Sequence, residues 1–223
     1  MKRFIILIFV PLFMFILTAD GDSADFRSGI NWGHYGGMGW DLYGSAYNFA
    51  QGLPLAAKFT LGYVSFDPGN ATDARRIFIN NNQGGTVQEK GSVIRFSLDF
   101  LYPFNFLKIP ESYLYFGPRY AMFKGNFKFI GNNEDFDVTS KHWGGGLGLE
   151  MGFPLSRKFM LSFNTGADYY LSSVLSGHDT SYGPDGEKVN PREDYEYKDA
   201  DAAINQPKLE LRLMLGFSYR FGK

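Results

Sequence analysis

His34, His142 and His178 are the three histidines of the chain and the side chains best able to carry a proton near neutral pH. One of them has company. His178, Ser181 and Glu187 supply the residue types of a hydrolytic triad, the imidazole taking the serine proton and the carboxylate orienting the imidazole. They fall in an acidic stretch, residues 173–206, without a hydrolase-specific motif, and chance supplies such trios easily. The stretch is therefore read as a solvated loop, and no catalytic residue is assigned. It carries Asp179, Asp185, Glu187, Glu193, Asp194, Glu196, Asp199 and Asp201 against only Lys188, Arg192 and Lys198. Clustered carboxylates suit calcium, but this spacing does not match an EF-hand, and no metal is assigned. Arg75, Arg76, Lys124, Lys128 and Lys141 are cations of the kind that meet phosphate. Gly144, Gly145, Gly146 and Gly148 open no helix, so they form no phosphate cradle, and no cofactor is expected.

The chain that must position these groups has 223 residues, no cysteine and a formal charge of −1. Absence of cysteine removes disulfides, thiolate metal sites and a cysteine lipid anchor together. With no basic field, a nucleic-acid partner is excluded. At the start, Lys2 and Arg3 precede an apolar run of about fourteen residues that ends at Thr18-Ala19, the layout of a secretory signal peptide over residues 1–19. The run is shorter than the roughly twenty residues a helix needs to cross a bilayer, and Asp20, Asp22 and Asp25 follow it. No later segment is apolar enough to do so either. Residues 20–223 then form one domain. Aromatics make up 18% of the chain. Its mean hydropathy is nonetheless −0.21, an odd pairing for a water-soluble core and a natural one for a barrel with aromatic girdles and polar loops.

Period-two alternation supplies the strands. It is clearest at the end, where Leu209, Leu211, Leu213, Leu215, Phe217, Tyr219 and Phe221 interleave with Lys208, Glu210, Arg212, Met214, Gly216, Ser218 and Arg220. The same pattern marks residues 94–102, 143–153 and 159–171, and more weakly 55–63 and 114–122, with two fainter strands near 26–34 and 39–49. The strong runs are about ten to thirteen residues, long enough to cross a membrane at a tilt. Pro118 lacks a ladder donor, so a bulge is expected there. Connections alternate in length: short at 51–54, 103–111 and 154–157, long at 67–90, 125–141 and 173–206, with a tight outer turn at 35–38. Short turns on one side and long loops on the other predict an all-β transmembrane antiparallel up-and-down β-barrel of eight strands. Ten follow if residues 173–206 hide another hairpin.

These features resemble the small bacterial outer-membrane barrels of the OmpA transmembrane domain, OmpX and OmpW type. The most specific piece is Phe217, Tyr219 and Phe221, similar to the C-terminal aromatic signal read by the barrel-assembly machinery of that superfamily, although Gly222 and Lys223 follow here. The resemblance implies outer-membrane lipid and lipopolysaccharide as surroundings. An eight-stranded barrel has an interior that side chains fill. The alternation puts Asp41, Lys58, Arg95, Asp99, Arg119, Glu150, Asp168, Glu210 and Arg212 inside, where unpaired charge is costly, so a paired network is expected. The functional expectation is a non-enzymatic integral scaffold whose long outer loops serve envelope integrity or surface contact, with no surface partner nameable. The alternatives are a narrow OmpW-like channel, a lipid A-modifying barrel enzyme with its chemistry at the outer strand ends, and a soluble lipocalin-like barrel.

Overall fold

Alternating strands present one apolar and one polar face, and closing the sheet on itself gives each face its own solvent. The computed structural model describes residues 25–48 and 54–221. The expected signal peptide at 1–19, most of the 51–54 turn, and Gly222 and Lys223 lie outside the described residues. Seven long strands come first: β1 (Asp25–Tyr35), β2 (Met38–Tyr47), β3 (Ala56–Phe66), β4 (Thr86–Pro103), β5 (Glu111–Ile130), β6 (Glu134–Pro154) and β7 (Phe159–Tyr170). Three short strands follow, β8 (Leu175–Ser176), β9 (Ser181–Tyr182) and β10 (Lys188–Val189), and then the long β11 (Leu209–Phe221). Two helices, α1 (Ala71–Phe78) and α2 (Tyr197–Ala203), sit in the two longest connections.

The eight long strands pair antiparallel with their neighbours, and β11 pairs with both β7 and β1, closing the barrel. Full closure satisfies the backbone donors and acceptors that hydrocarbon cannot. The partners run once round from Tyr102 through Leu114, Leu149, Thr165, Leu213, His34, Met38 and Ser65 to Ser92. Ser92 lies on the starting strand, about ten residues from Tyr102, and a shear of that size tilts eight strands by roughly 40°. The short strands β8 to β10 form a side ladder that touches the barrel through the Thr139–Ser176 pair, so residues 173–206 add no barrel strand and the count is eight.

Three local expectations change. Pro118 makes no bulge: pairing with β4 lapses between Ser97–Arg119 and Phe100–Phe116 and resumes in the same register. The missing donor costs ladder bonds, and no residue is added to absorb the loss. Residues 125–141 are not a loop. There β5 and β6 continue as one hairpin, paired to Phe129–Glu134 and turned by Gly131 and Asn133 at positive φ. The strand β4 likewise begins at Thr86, inside the expected 67–90 loop.

The reason lies in the pattern. Up to Met122 the outward residues of β5 are apolar (Leu114, Phe116, Tyr120) and the inward ones polar or small; beyond it Phe123, Phe127 and Phe129 turn in while Lys124 and Lys128 turn out. On β6 the exchange falls between Lys141 and Trp143. Parity along the strand is unbroken and only polarity inverts, so a search for apolar-outward alternation stops where the outer face turns polar.

Above that line the inward apolar wall is roofed. Phe123, Phe127, Phe129, Phe136 and Val138 pack with Ala74, Ile77 and Phe78 of α1, with Ala200 and Ala203 of α2, and with Leu175, Tyr182 and Ile204 in one buried cluster. The Asn70 side chain accepts from the Asp73 amide to cap α1, and the Glu196 amide donates to Asp199 at the start of α2. The two connections are stitched together by Asn70 N–H to Ala203 O, at 2.8 Å, and Asn205 N–H to Pro68 O, at 3.0 Å. What the sequence presents as a solvated acidic loop is a folded cap, because its apolar residues have this wall to bury against.

Candidate functional site

The barrel interior holds the densest chemistry. All nine charges expected inside are there and buried. Lys58 pairs with Glu150, and its ammonium stands 4.0 Å from the centre of the Tyr43 ring. Arg95 pairs with Glu210 and lies over Tyr35. Arg119 reaches Asp99 at 2.7 Å and Asp168 at 2.9 Å, and Arg212 reaches the other oxygen of Asp168 at 3.0 Å while donating to the Tyr35 hydroxyl at 2.8 Å. Asp168 thus bridges two guanidiniums, the arrangement for which Arg is better suited than Lys. Asp41 stands apart: it is 1% exposed, and neither carboxylate oxygen has a hydrogen-bond partner among the described residues. Its position opposite Gly62 leaves room for the side chain, since a Cβ on Gly62 would come 2.3 Å from Asp41 Oδ1.

Sequence reasoning missed a second layer at the inner rim. Arg27 pairs with Asp25 and Glu111, and Arg220 reaches the same two carboxylates at 2.9 Å each. Alternation assigns Arg27 inward, but its faint strand gave no reason to single it out. Outside, Phe217 and Phe221 are exposed, and Phe159 stacks on Phe217 with ring centres 5.3 Å apart. Tyr219 sits between Phe159 and Phe221, at 5.4 and 4.9 Å.

The histidines separate. His34 points outward on β1. His178 is well exposed in the cap and pairs with Asp179, and no hydrogen bond joins it to Ser181 or Glu187, so the triad types do not converge. His142 turns inward beneath the cap. Its Nδ1 donates to the Leu171 carbonyl at 2.9 Å, which leaves Nε2 to accept from the Ser140 hydroxyl at 2.7 Å. This is the bonding of an activated serine, yet both residues are buried, without access for a substrate. The pair serves instead as a satisfied polar peg between β6 and the segment that leads into the cap.

In the cap, Arg75 is 1% exposed, lies over the Phe129 ring at 3.9 Å, donates to the Gly84 carbonyl at 2.7 Å and pairs with Glu134. That guanidinium holds the Glu134 carboxyl below the ordinary glutamate range. Among the described residues no group of three or more His, Asp or Glu side chains is arranged to hold a metal ion.

No model of a known protein family matches the sequence, and no curated protein matches it. Solved structures do. A major outer membrane protein from Thermus thermophilus is 29% identical, with a TM-score of 0.72 over 89% of this chain and 100% of its own. Neisserial surface protein A is 13% identical at TM-score 0.39, over 89% and 97% of the two chains. Ail, the attachment invasion locus protein of Yersinia pestis, is 14% identical at 0.41 over the same shares. A closed eight-stranded barrel with an apolar outer face, a charge-filled interior and this full-length likeness make the chain a small outer-membrane β-barrel protein.

Proposed function

We propose that the protein is a closed, non-enzymatic scaffold of the outer membrane, whose barrel anchors a folded cap at the outer surface for envelope integrity or surface contact. The observation that carries this reading is the filled lumen. Ion pairs cross it from Lys58 to Glu150, from Arg95 to Glu210 and from Arg119 to Asp168, and the apolar cluster around α1 and α2 roofs its outer end. Eight strands leave no wider bore for water. Likeness to a major outer membrane protein supports the outer-membrane part of this reading. In this reading residues 1–19 direct export and are removed, Phe217, Tyr219 and Phe221 are read by the barrel-assembly machinery, and membrane lipid, lipopolysaccharide included, surrounds the apolar face.

Planar-bilayer recording tests it. The purified protein is expected to give little or no steady conductance. A large, stable, ion-selective current would overturn the closed scaffold in favour of a narrow channel, and altered lipid A on expression would restore the enzyme.

A further inference from the structure

We propose that Lys90, Lys124 and Lys141 form a level belt on the outer wall of the barrel that binds the phosphate of an outer-leaflet lipid. The proposal rests on the reading that membrane lipid surrounds the apolar face.

All three side chains are exposed and outward, on β4, β5 and β6 in turn. Lys90 is paired with Asn126, two residues from Lys124, and Lys124 is paired with Thr139, two residues from Lys141. Diagonal neighbours of this kind have their side chains about 7–8 Å apart at the root, within reach of one shared phosphate for long flexible stems. The tilt levels them. A shear of about ten over eight strands means that a ring parallel to the membrane steps about 1.25 residues per strand away from the paired row. From Lys90 that ring passes close to Lys124 and then between Thr139 and Lys141. The three ammonium roots therefore lie within about 4 Å of one height.

That height is the membrane boundary. Below it come Ser92 and Ile94 on β4 and Met122 on β5, and with or beneath them the aromatic residues Phe96, Tyr120 and Trp143, with ring centres 6.3 and 4.8 Å apart. Aromatic side chains mark the interfacial layer, and lipid phosphates lie just outside it. The charge is not balanced within the sheet. Lys124 pairs with Asp137 at 2.6 Å, whereas Lys90 and Lys141 have no ion-pair partner among the described residues. Nor is the belt repeated elsewhere among the described residues. At the outer ends of β7, β11, β1 and β2 the outward residues are Tyr169, Leu209, His34 and Met38. Cations gathered on one side, at one height, favour a particular bound lipid over a general attraction to the surface.

Native mass spectrometry on the full chain folded in neutral detergent tests this, with phosphatidic acid and, separately, phosphatidylcholine of the same acyl chains as probes. Phosphatidic acid is expected to be retained in preference, and K90Q/K124Q/K141Q to lose that preference by about tenfold or more. Lys188→Gln and Lys198→Gln, in the cap, are expected to leave it unchanged. Equal retention of the two lipids by the wild type, or a preference that survives the triple change, overturns the proposal. If the triple variant does not fold, Lys141→Gln alone decides, with an expected loss of about threefold and no loss counting against the belt. Conductance, which decides the closed-scaffold reading, is a separate measurement on the same protein, so the two can fail independently.

Discussion

Below Met122 the inward side of the sheet carries Arg95, Arg119 and Asp168; above it the same side carries Phe123, Phe127 and Phe129. The backbone is continuous and the register with β4 and β6 does not shift across the change. Two solvents explain the difference. In hydrocarbon the outer face must be apolar and the lumen takes the charge; in water the outer face turns polar and the apolar side chains need a roof, which the two helices provide. The lumen is held by few, directional, costly interactions, and the cap by many weak ones.

Removing one member of the lumen set is expected to be the largest single blow to this contrast. Arg119→Ala strands the buried carboxylate of Asp99 and leaves Asp168 with Arg212 alone, and is expected to destabilise the barrel by about 3–5 kcal/mol. Urea unfolding in lipid, followed by the heat-dependent gel shift of the folded barrel, measures it. In the cap the matching change is Ile77→Ala, expected to cost about 2–3 kcal/mol through a cavity, and to do so locally. Protease should then cut residues 171–208 on intact cells while the barrel stays folded. Loss of the barrel together with the cap would show that the two regions are one cooperative unit.

Asp41→Asn sharpens the lumen side. Since Asp41 has no hydrogen-bond partner, its neutral isostere is expected to change stability by less than about 1 kcal/mol, well under the cost at Arg119. An equal loss would mean that Arg95, Lys58 or Arg212 depends on its charge at longer range. The smallest effect is one of pH. Glu134 titrates lower in the folded protein than unfolded because Arg75 bonds it, so its contribution is complete above the ordinary glutamate value and fades as pH falls through the folded value. Cap protection from protease should weaken below about pH 4, and Glu134→Gln should abolish that dependence.

Much of the barrel was legible because membrane strands repeat one rule. Residues Leu209 to Phe221 state it almost without exception, and the nine inward charges follow from parity alone. The pairing partners did not follow. Arg119 meets Asp168 across a gap of 49 residues, a fact of shear and closure that no single strand contains. The cap was missed for a different reason. Its apolar residues, among them Ile77, Leu175, Tyr182 and Ile204, are scattered singly among acidic neighbours, and only the inverted wall of β5 and β6 brings them together.

The span of those lumen pairs bears on the order of events in assembly. Lys58 and Glu150 are 92 residues apart, Arg95 and Glu210 are 115, and Arg27 and Glu111 are 84. None of these pairs joins strands that share a ladder, so each is made across the lumen. A partly built sheet can join Arg119 to Asp99 on the neighbouring strand, but not these three pairs, and Glu210 arrives only with the last strand. Without β11 in place Arg95 lacks the Glu210 carboxylate that pairs with it, and an unpaired charge is costly away from water. The full set of lumen pairs is complete only once β11 closes on β1.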